Sequence, residues 1–311
     1  MRKLLIFLAF LMPFCCKAQE PRWAVVDVSS CFLRQKPDYE SANESQCLMG
    51  TVVEVTGADR YWRKVNVPDY KDVWTNELCL AFMTESQKDA YIAAPKWMCI
   101  ATYSTIYSDP DHAAEPVCDF IKGDLVRKDG AVKGDWAPVL TASGRKGWVP
   151  ARDLVDYETW ASSVKAEASS VIATALSLRG VPYMWGGNTV KHFDCSGFTK
   201  FVYMMNGIVL PRNASQQIKT GETIPYDLSK MRAGDLVFFG NAARGSVTHV
   251  ALYMGDGKII HSSMLVRVNS LVKGEEDYYE KEVVGVRRIL GHADDGSGIS
   301  SVKAGPWYFK K

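Results

Sequence analysis

The hydrophobic pattern divides the chain in two. From about residue 21 to residue 155, apolar and polar residues alternate over short runs that Gly, Pro and Asp interrupt. Val52-Val53-Glu54-Val55 and Leu125-Val126-Arg127-Lys128 are examples. A period of two places alternate side chains on one face of a strand, so this half predicts small all-β units. The pattern also repeats. Pro37, Gly50, Trp62, Trp74 and Leu78 are answered by Pro110, Gly123, Trp136, Trp148 and Leu154. The Pro-to-Gly interval is 13 in both copies, and the Trp-to-Trp interval is 12 in both. An internal duplication accounts for this. It predicts two barrels of about five strands each, at 21–82 and 95–155, joined by a short helix over 84–93.

Beyond residue 155 the period changes. Val164, Ala168, Val171, Ile172, Ala175 and Leu176 are spaced for one helix over 160–178, ended by Gly180-Val181-Pro182. Phe198, Phe201, Val202 and Met205 mark one apolar face of a second helix. Asp194 stands where an N-cap belongs, which makes Cys195 the first helical residue. Strands follow at 234–240, 248–254, 258–263 and 283–289, the middle two joined at Gly255-Asp256-Gly257. Helices first and antiparallel strands after them predict an α+β domain over 160–290. Residues 291–311 are rich in Gly, Ser and Asp and read as a loose tail, with Trp307-Tyr308-Phe309 as its one candidate for docking.

Composition adds an address. Of the 311 residues 47% are hydrophobic and 23% charged, the balance of a globular chain. Met1-Arg2-Lys3, an apolar run over 4–14 and Cys16-Lys17-Ala18 form an export signal at 1–18, too short to span a bilayer. The expected location is therefore the periplasm or cell envelope. Losing Arg2, Lys3 and Lys17 takes the formal charge from +2 to −1, and no basic run occurs elsewhere, which excludes a nucleic-acid partner. No other stretch is long enough for a membrane helix, and a monomer is expected. Cys15 and Cys16 leave with the signal; Met12-Pro13-Phe14 before them lacks the small residues of a lipid-attachment site. Cys31, Cys47, Cys79, Cys99 and Cys118 contain no CxxC pair, and export leaves their pairing open.

Cys195 carries the candidate chemistry. The first turn of a helix offers free N–H groups and a positive dipole end, both of which favour thiolate. A buried structural cysteine is the alternative. Tyr183-Met184-Trp185-Gly186-Gly187 upstream, with His249 and His261 downstream, favours a nucleophile with a base and an orienting partner. Their geometry follows from the hairpin. A three-residue loop, with Gly257 left-handed, sets Met254 against Lys258, His249 against Ser263 and His261 against Ala251. The two histidines then share one sheet face as diagonal neighbours, roughly 7–8 Å apart at the backbone. A two-residue loop shifts the register by one and separates them. His112, His192 and His292 lie in loops or the tail and read as structural. A zinc site on Cys195, His249 and His261 lacks a carboxylate partner and a metalloprotease motif, so neither metal nor cofactor is expected.

The ordered set Tyr183-x-Trp185-Gly186-Gly187, Asp194-Cys195-Ser196-Gly197, Leu210-Pro211-Arg212, Gly234-Asp235-Leu236-Val237-Phe238-Phe239, His249-Val250, Tyr253-x-Gly255-Asp256-Gly257 and Ile260-His261-Ser262 resembles the NlpC/p-sixty family of papain-like murein endopeptidases. Gly147-Trp148-Val149-Pro150 resembles the close of bacterial SH3-like domains. The resemblance implies a papain-like cysteine peptidase domain behind two SH3-like barrels, and a catalytic triad on Cys195, His249 and His261. It further implies the subgroup that cleaves γ-D-glutamyl-L-diamino-acid bonds in murein peptides with a free N-terminal L-Ala. There Asp194 and Ser196 would read the free amine, Tyr183 and Trp185 would line the pocket, and Ser215 and, from the first barrel, Tyr70 would touch substrate. Arg212 and Asp235 are expected to be structural. A catalytically spent wall-binding adaptor, or an amidase or acyltransferase on the same Cys-His-His site, are the alternatives.

Overall fold

The computed structural model describes residues 22–304 and 308, so the expected export signal at 1–18 lies outside the described residues, as do Trp307 and Phe309. The alternating runs form two antiparallel sheets of seven strands each. In the first the order is Asn43–Cys47, Cys31–Arg34, Val73–Asn76, Trp62–Asn66, Val52–Asp59, Trp23–Val26, Leu80–Met83. In the second it is Pro116–Ile121, Tyr103–Tyr107, Lys146–Pro150, Trp136–Leu140, Leu125–Lys128, Lys96–Cys99, Leu154–Asp156. Position for position the two orders are the same. Trp62 opposes Asn76 in one and Trp136 opposes Pro150 in the other. Gly50 and Gly123 both take left-handed φ values, 91° and 93°, at the matching turn. Each copy has more strands than the Gly and Pro spacing suggests. One reason is a 3-10 turn, Glu77–Cys79 or Ala151–Asp153, which cuts the last run of each copy in two.

Helix Glu85–Ala93 links the copies, closed at its N-terminus by reciprocal bonds between Thr84 and Gln87. The sheets meet along a seam. The buried Asp124 carboxylate accepts from the Met49 N–H of the first copy at 2.9 Å, and Asp27 of the first copy pairs with Arg145 of the second at 2.9 Å.

The single helix expected over 160–178 is two: Tyr157–Ser163 and Ala168–Ser177. Ser162 and Ser163 turn their hydroxyls back onto the Thr159 carbonyl, and a new start forms where Glu167 and Ser170 cap each other. The nucleophile helix, Cys195–Met204, packs beside the second of these through Asn206 and Thr174. Behind it stands a six-stranded antiparallel sheet in the order Glu222–Ile224, Val283–Arg288, Leu236–Asn241, Ser246–Gly255, Lys258–Ser263, Leu265–Ser270.

Phe198, Phe201 and Val202 sit in the main core. The helix is buried on its polar side as well. Ser196, Thr199 and Lys200 are each 5% exposed or less: Arg212 bonds Ser196, Gln217 bonds Thr199, and Asp69 of the first β unit pairs with Lys200. The segment expected as a loose tail is packed too. Ser300–Ser301 pairs with Ile208–Val209, Ile299 and Val302 are buried, and the Tyr308 hydroxyl donates to the Gly123 carbonyl. Among the described residues no helix is long and apolar enough to cross a membrane, and Cys31, Cys47, Cys79, Cys99, Cys118 and Cys195 are all free thiols.

Candidate active site

Asp194 caps the nucleophile helix by accepting from the Gly197 N–H at 2.7 Å, so Cys195 opens the helix as expected. As a first-turn residue, Cys195 has a backbone N–H with no intrahelical acceptor. Gly197 permits a close crossing. A Cβ there would lie 2.0 Å from the Gly187 carbonyl oxygen, so the Trp185-Gly186-Gly187 loop rests on the helix backbone itself.

The hairpin that carries the histidines departs from expectation in a compensating way. Its turn has two residues, with Gly255 opposite Lys258 and both Asp256 (φ 49°) and Gly257 (φ 71°) left-handed. Alone, that turn would move the histidines to opposite faces. A bulge between Tyr253 and Gly255 takes Met254 out of the pairing and restores Tyr253 against Ile259 and Leu252 against Ile260. His249 Nε2 and His261 Nδ1 consequently lie 2.7 Å apart. Tyr279 closes over the pair, its ring 4.7 Å from that of His261 and 5.6 Å from that of His249.

A residue missed in the sequence fixes the protons. His261 Nε2 is 2.9 Å from Asn269 Oδ1, and Asn269 Nδ2 donates to the Asp277 carbonyl at 2.8 Å. The Asp277 bond decides which end of the amide faces His261, so Asn269 accepts there and His261 Nε2 carries the hydrogen. His261 Nδ1 is then the acceptor for His249 Nε2–H, and His249 Nδ1 is left with a lone pair. The strand bearing Asn269 alternates as Leu265-Val266-Arg267-Val268-Asn269, and that period of two was the available signal.

Burial sets the resting charges. His249 is pulled down to about 3, first by burial and then by His261; His261 is pulled down to about 4, also by burial. Cys195 is pushed up to about 11 by burial and then by the Asp194 carboxylate, against the backbone N–H groups of Val250 and Ser196 that face the sulfur. The expected resting thiolate is therefore not what this environment favours, because the helix-start contribution is outweighed by desolvation. Among the described residues no hydrogen bond joins Cys195 to His249. The two groups rest neutral.

Cys195, Tyr183, Trp185, Asp194, Ser196, Ser215 and Tyr70 all line one cleft of about 470 Å³, together with Glu44 and Asn213. Trp185 stands at the rim, 67% exposed. From the first sheet, the Tyr70 hydroxyl donates to Asn213 Oδ1 at 3.0 Å. Asp194 and Ser196, the expected amine readers, line this cleft with polar atoms that already have partners. Both Asp194 oxygens are held by Arg212, at 3.0 and 2.5 Å, and one of them also accepts from the Gly186 N–H. The Ser196 hydroxyl is engaged by Asp194 and Arg212. A carboxylate already matched to a buried guanidinium offers no unmet charge to an ammonium. Glu44, whose place beside the cleft no local motif announces, makes no ion pair among the described residues. Asp235, as expected, is structural: it pairs with Arg288 at 2.9 Å. Among the described residues no three His, Cys, Asp or Glu side chains converge as a metal-holding group.

Comparison with known proteins bears on this geometry. Residues 180–288 match the NlpC/P60 family. The chain is 36% identical over 153 residues to a γ-D-glutamyl-L-lysine dipeptidyl-peptidase of Bacillus cereus, covering 49% of this chain and 45% of that protein. It is 41% identical over 130 residues to the protein of that name from Bacillus subtilis, covering 42% and 43%. The chain thus spans less than half the length of these two relatives. The crystal structure of an NlpC/P60 family protein from Bacillus cereus superposes with a TM-score of 0.73 at 25% identity, over 86% of this chain and 99% of that one. The part of the chain that holds Cys195, His249, His261 and Asn269 is an NlpC/P60 domain.

Proposed function

We propose that the protein is an exported cysteine endopeptidase that cleaves the γ-D-Glu–diamino acid bond of murein peptides with a free N-terminal L-Ala. The observation that carries this reading is the proton chain from Asn269 through His261 to His249, beside a thiol in a cleft walled by the first β unit. His249 Nδ1 takes the Cys195 proton as the sulfur attacks the carbonyl carbon after the γ-linked D-Glu. The tetrahedral oxyanion meets the Cys195 backbone N–H. Imidazolium then returns its proton to the leaving amine of the diamino acid. Water hydrolyses the thioester through the same base and frees the sulfur. Because thiol and imidazole rest neutral, the ion pair forms during the reaction rather than before it.

At the other end of the substrate, Glu44 replaces Asp194 as the anion for the terminal ammonium, with Tyr70 beside it. A peptide whose amine is acylated would offer the Glu44 carboxylate no opposite charge, leaving it the neutral Gln35 amide as donor. The wall formed by the first β unit favours short, free-ended peptides over intact sacculi. The test is incubation with L-Ala-γ-D-Glu-diamino acid peptides, free and N-acetylated, with products read by mass spectrometry. Cleavage of the free peptide at the γ-D-Glu bond, lost in Cys195→Ala, supports the reading. Equal cleavage of both peptides removes the amine-recognition claim. Binding without any thiol-dependent cleavage leaves an adaptor.

A further inference from the structure

Two buried cations of the NlpC/P60 domain reach across into the first β unit. Each holds the neighbour of a cleft-lining residue. Arg212 Nε donates to Ser45 Oγ at 2.9 Å, next to Glu44. Lys200 Nζ pairs with Asp69 Oδ1 at 2.8 Å, next to Tyr70, and also donates to the Leu210 carbonyl at 3.0 Å. Both side chains are 1% exposed. Lys200 lies on the same helix that Cys195 opens.

We infer that Lys200 is a positioning residue for substrate selection: through Asp69 it locks Tyr70 of the first β unit in register with the nucleophile helix. The inference rests on the amine-selective reading above. A buried ion pair is a poor source of net stability, because desolvation offsets its attraction, and apolar residues of similar size pack as well. What such a pair supplies is one orientation. The Val67 N–H donates to the Tyr70 carbonyl at 2.8 Å, so residues 67–70 form a tight turn that moves as a piece. At its end the Tyr70 hydroxyl reaches Asn213, the cap of the short helix that bears Ser215. The helix that aims the sulfur therefore also fixes the height of the opposite wall. Lys191 provides a contrast. It too crosses between the units, bonding Ser29 at 2.9 Å and Asp119, but it lies away from the cleft.

The experiment measures kcat and KM on free and N-acetylated L-Ala-γ-D-Glu-diamino acid peptides for wild type, Lys200→Met and Lys191→Met. Alongside, it measures the rate of Cys195 alkylation by iodoacetamide. Lys200→Met is expected to raise KM for the free peptide about tenfold, one lost orienting contact. It is also expected to erase most of the preference over the acetylated peptide, while alkylation stays at the wild-type rate. Lys191→Met is expected to keep the preference. A selective wild type with an equally selective Lys200→Met overturns the inference and leaves the proposed function standing. An unselective wild type overturns both. Loss of preference in Lys191→Met as well assigns the effect to general loosening and overturns the inference. If Lys200→Met does not fold, Asp69→Leu with Lys200→Met removes both charges. Selectivity lost in that folded double variant supports the inference, and selectivity at the wild-type level overturns it.

Discussion

Asn269 presents its amide oxygen, not its amide nitrogen, to His261, at 2.9 Å. That orientation dictates which nitrogen of His249 is free to take a proton. Replacing Asn269 with Leu removes the acceptor and lets His261 adopt either tautomer. The expected loss in kcat/KM is about 10²-fold with little change in KM, the usual worth of a well-placed general base. Asn269→Asp is expected to retain more activity, because a carboxylate still accepts. It also favours the charged ring and shifts the acidic limb of the pH profile to higher pH. A Leu variant as active as wild type would remove Asn269 from the catalytic chain.

The histidine pair makes stability depend on pH. Both rings are held below their ordinary value of 6.5, His249 near 3 and His261 near 4, by burial. Between those limits the unfolded chain binds more protons than the folded one, so stability rises with pH and falls on acidification through this window. For fully buried His261 the contribution is on the order of 3 kcal/mol, or roughly 5–10 °C in Tm. Melting curves from pH 7 to pH 4 should show that decline, and His261→Phe should flatten it. An unchanged slope in the variant would assign the decline to other groups.

Cys195 is held at about 11 with a neutral imidazole nearby. In His249→Ala, alkylation by iodoacetamide should keep rising up to that pH. In the native protein it should do the same, because thiol and imidazole rest neutral side by side. A plateau at much lower pH in the native protein alone would mean that a thiolate–imidazolium pair exists at rest.

Gly197→Ala places a methyl group 2.0 Å from the Gly187 oxygen, where only backbone could yield. The expected cost is about 1–3 kcal/mol in stability. Activity should fall disproportionately, since Trp185 and the Asp194 cap ride on the displaced loop. Differential scanning calorimetry and steady-state kinetics on the same preparation separate the two effects.

Met254 is the extra residue that the bulge takes out of the ladder. Deleting it should close the bulge and leave Tyr253 against Ile259 and Leu252 against Ile260, so His261 stays beside His249 and steady-state turnover is kept. Loss of turnover in that variant would show that the bulge matters for more than register.

What could be read in the sequence was what local spacing controls. Phe198, Phe201 and Val202 gave the nucleophile helix its inward face, Asp194 its start, and the repeated Trp and Gly positions the duplicated sheets. What could not be read depended on distant partners. Arg212 looked structural, and its use of both Asp194 oxygens appears only when the chain is folded. Glu44 reaches the cleft because Asn43, Ser45 and Gln46 around it bond residues of the other unit. No local motif announces such a residue. The strand with Asn269 follows its neighbour after one residue, Met264, at φ 63°, so neither Gly nor Pro flagged the reversal. Ile299, Val302 and Tyr308 were hidden by the Gly and Ser around them, although three buried side chains suffice to anchor the segment.

The seam between the duplicated sheets has a consequence for how the molecule can change over generations. One copy lends Glu44 and Tyr70 to the cleft; its twin touches that copy through Asp124 and Arg145 but contributes no lining residue. A substitution along the seam would act on Glu44 and Tyr70 through the copy that carries them, at a remove from sulfur and imidazole. Diet and bond-breaking are thus heritable apart: lineages can retune what they accept by editing a module that never meets it.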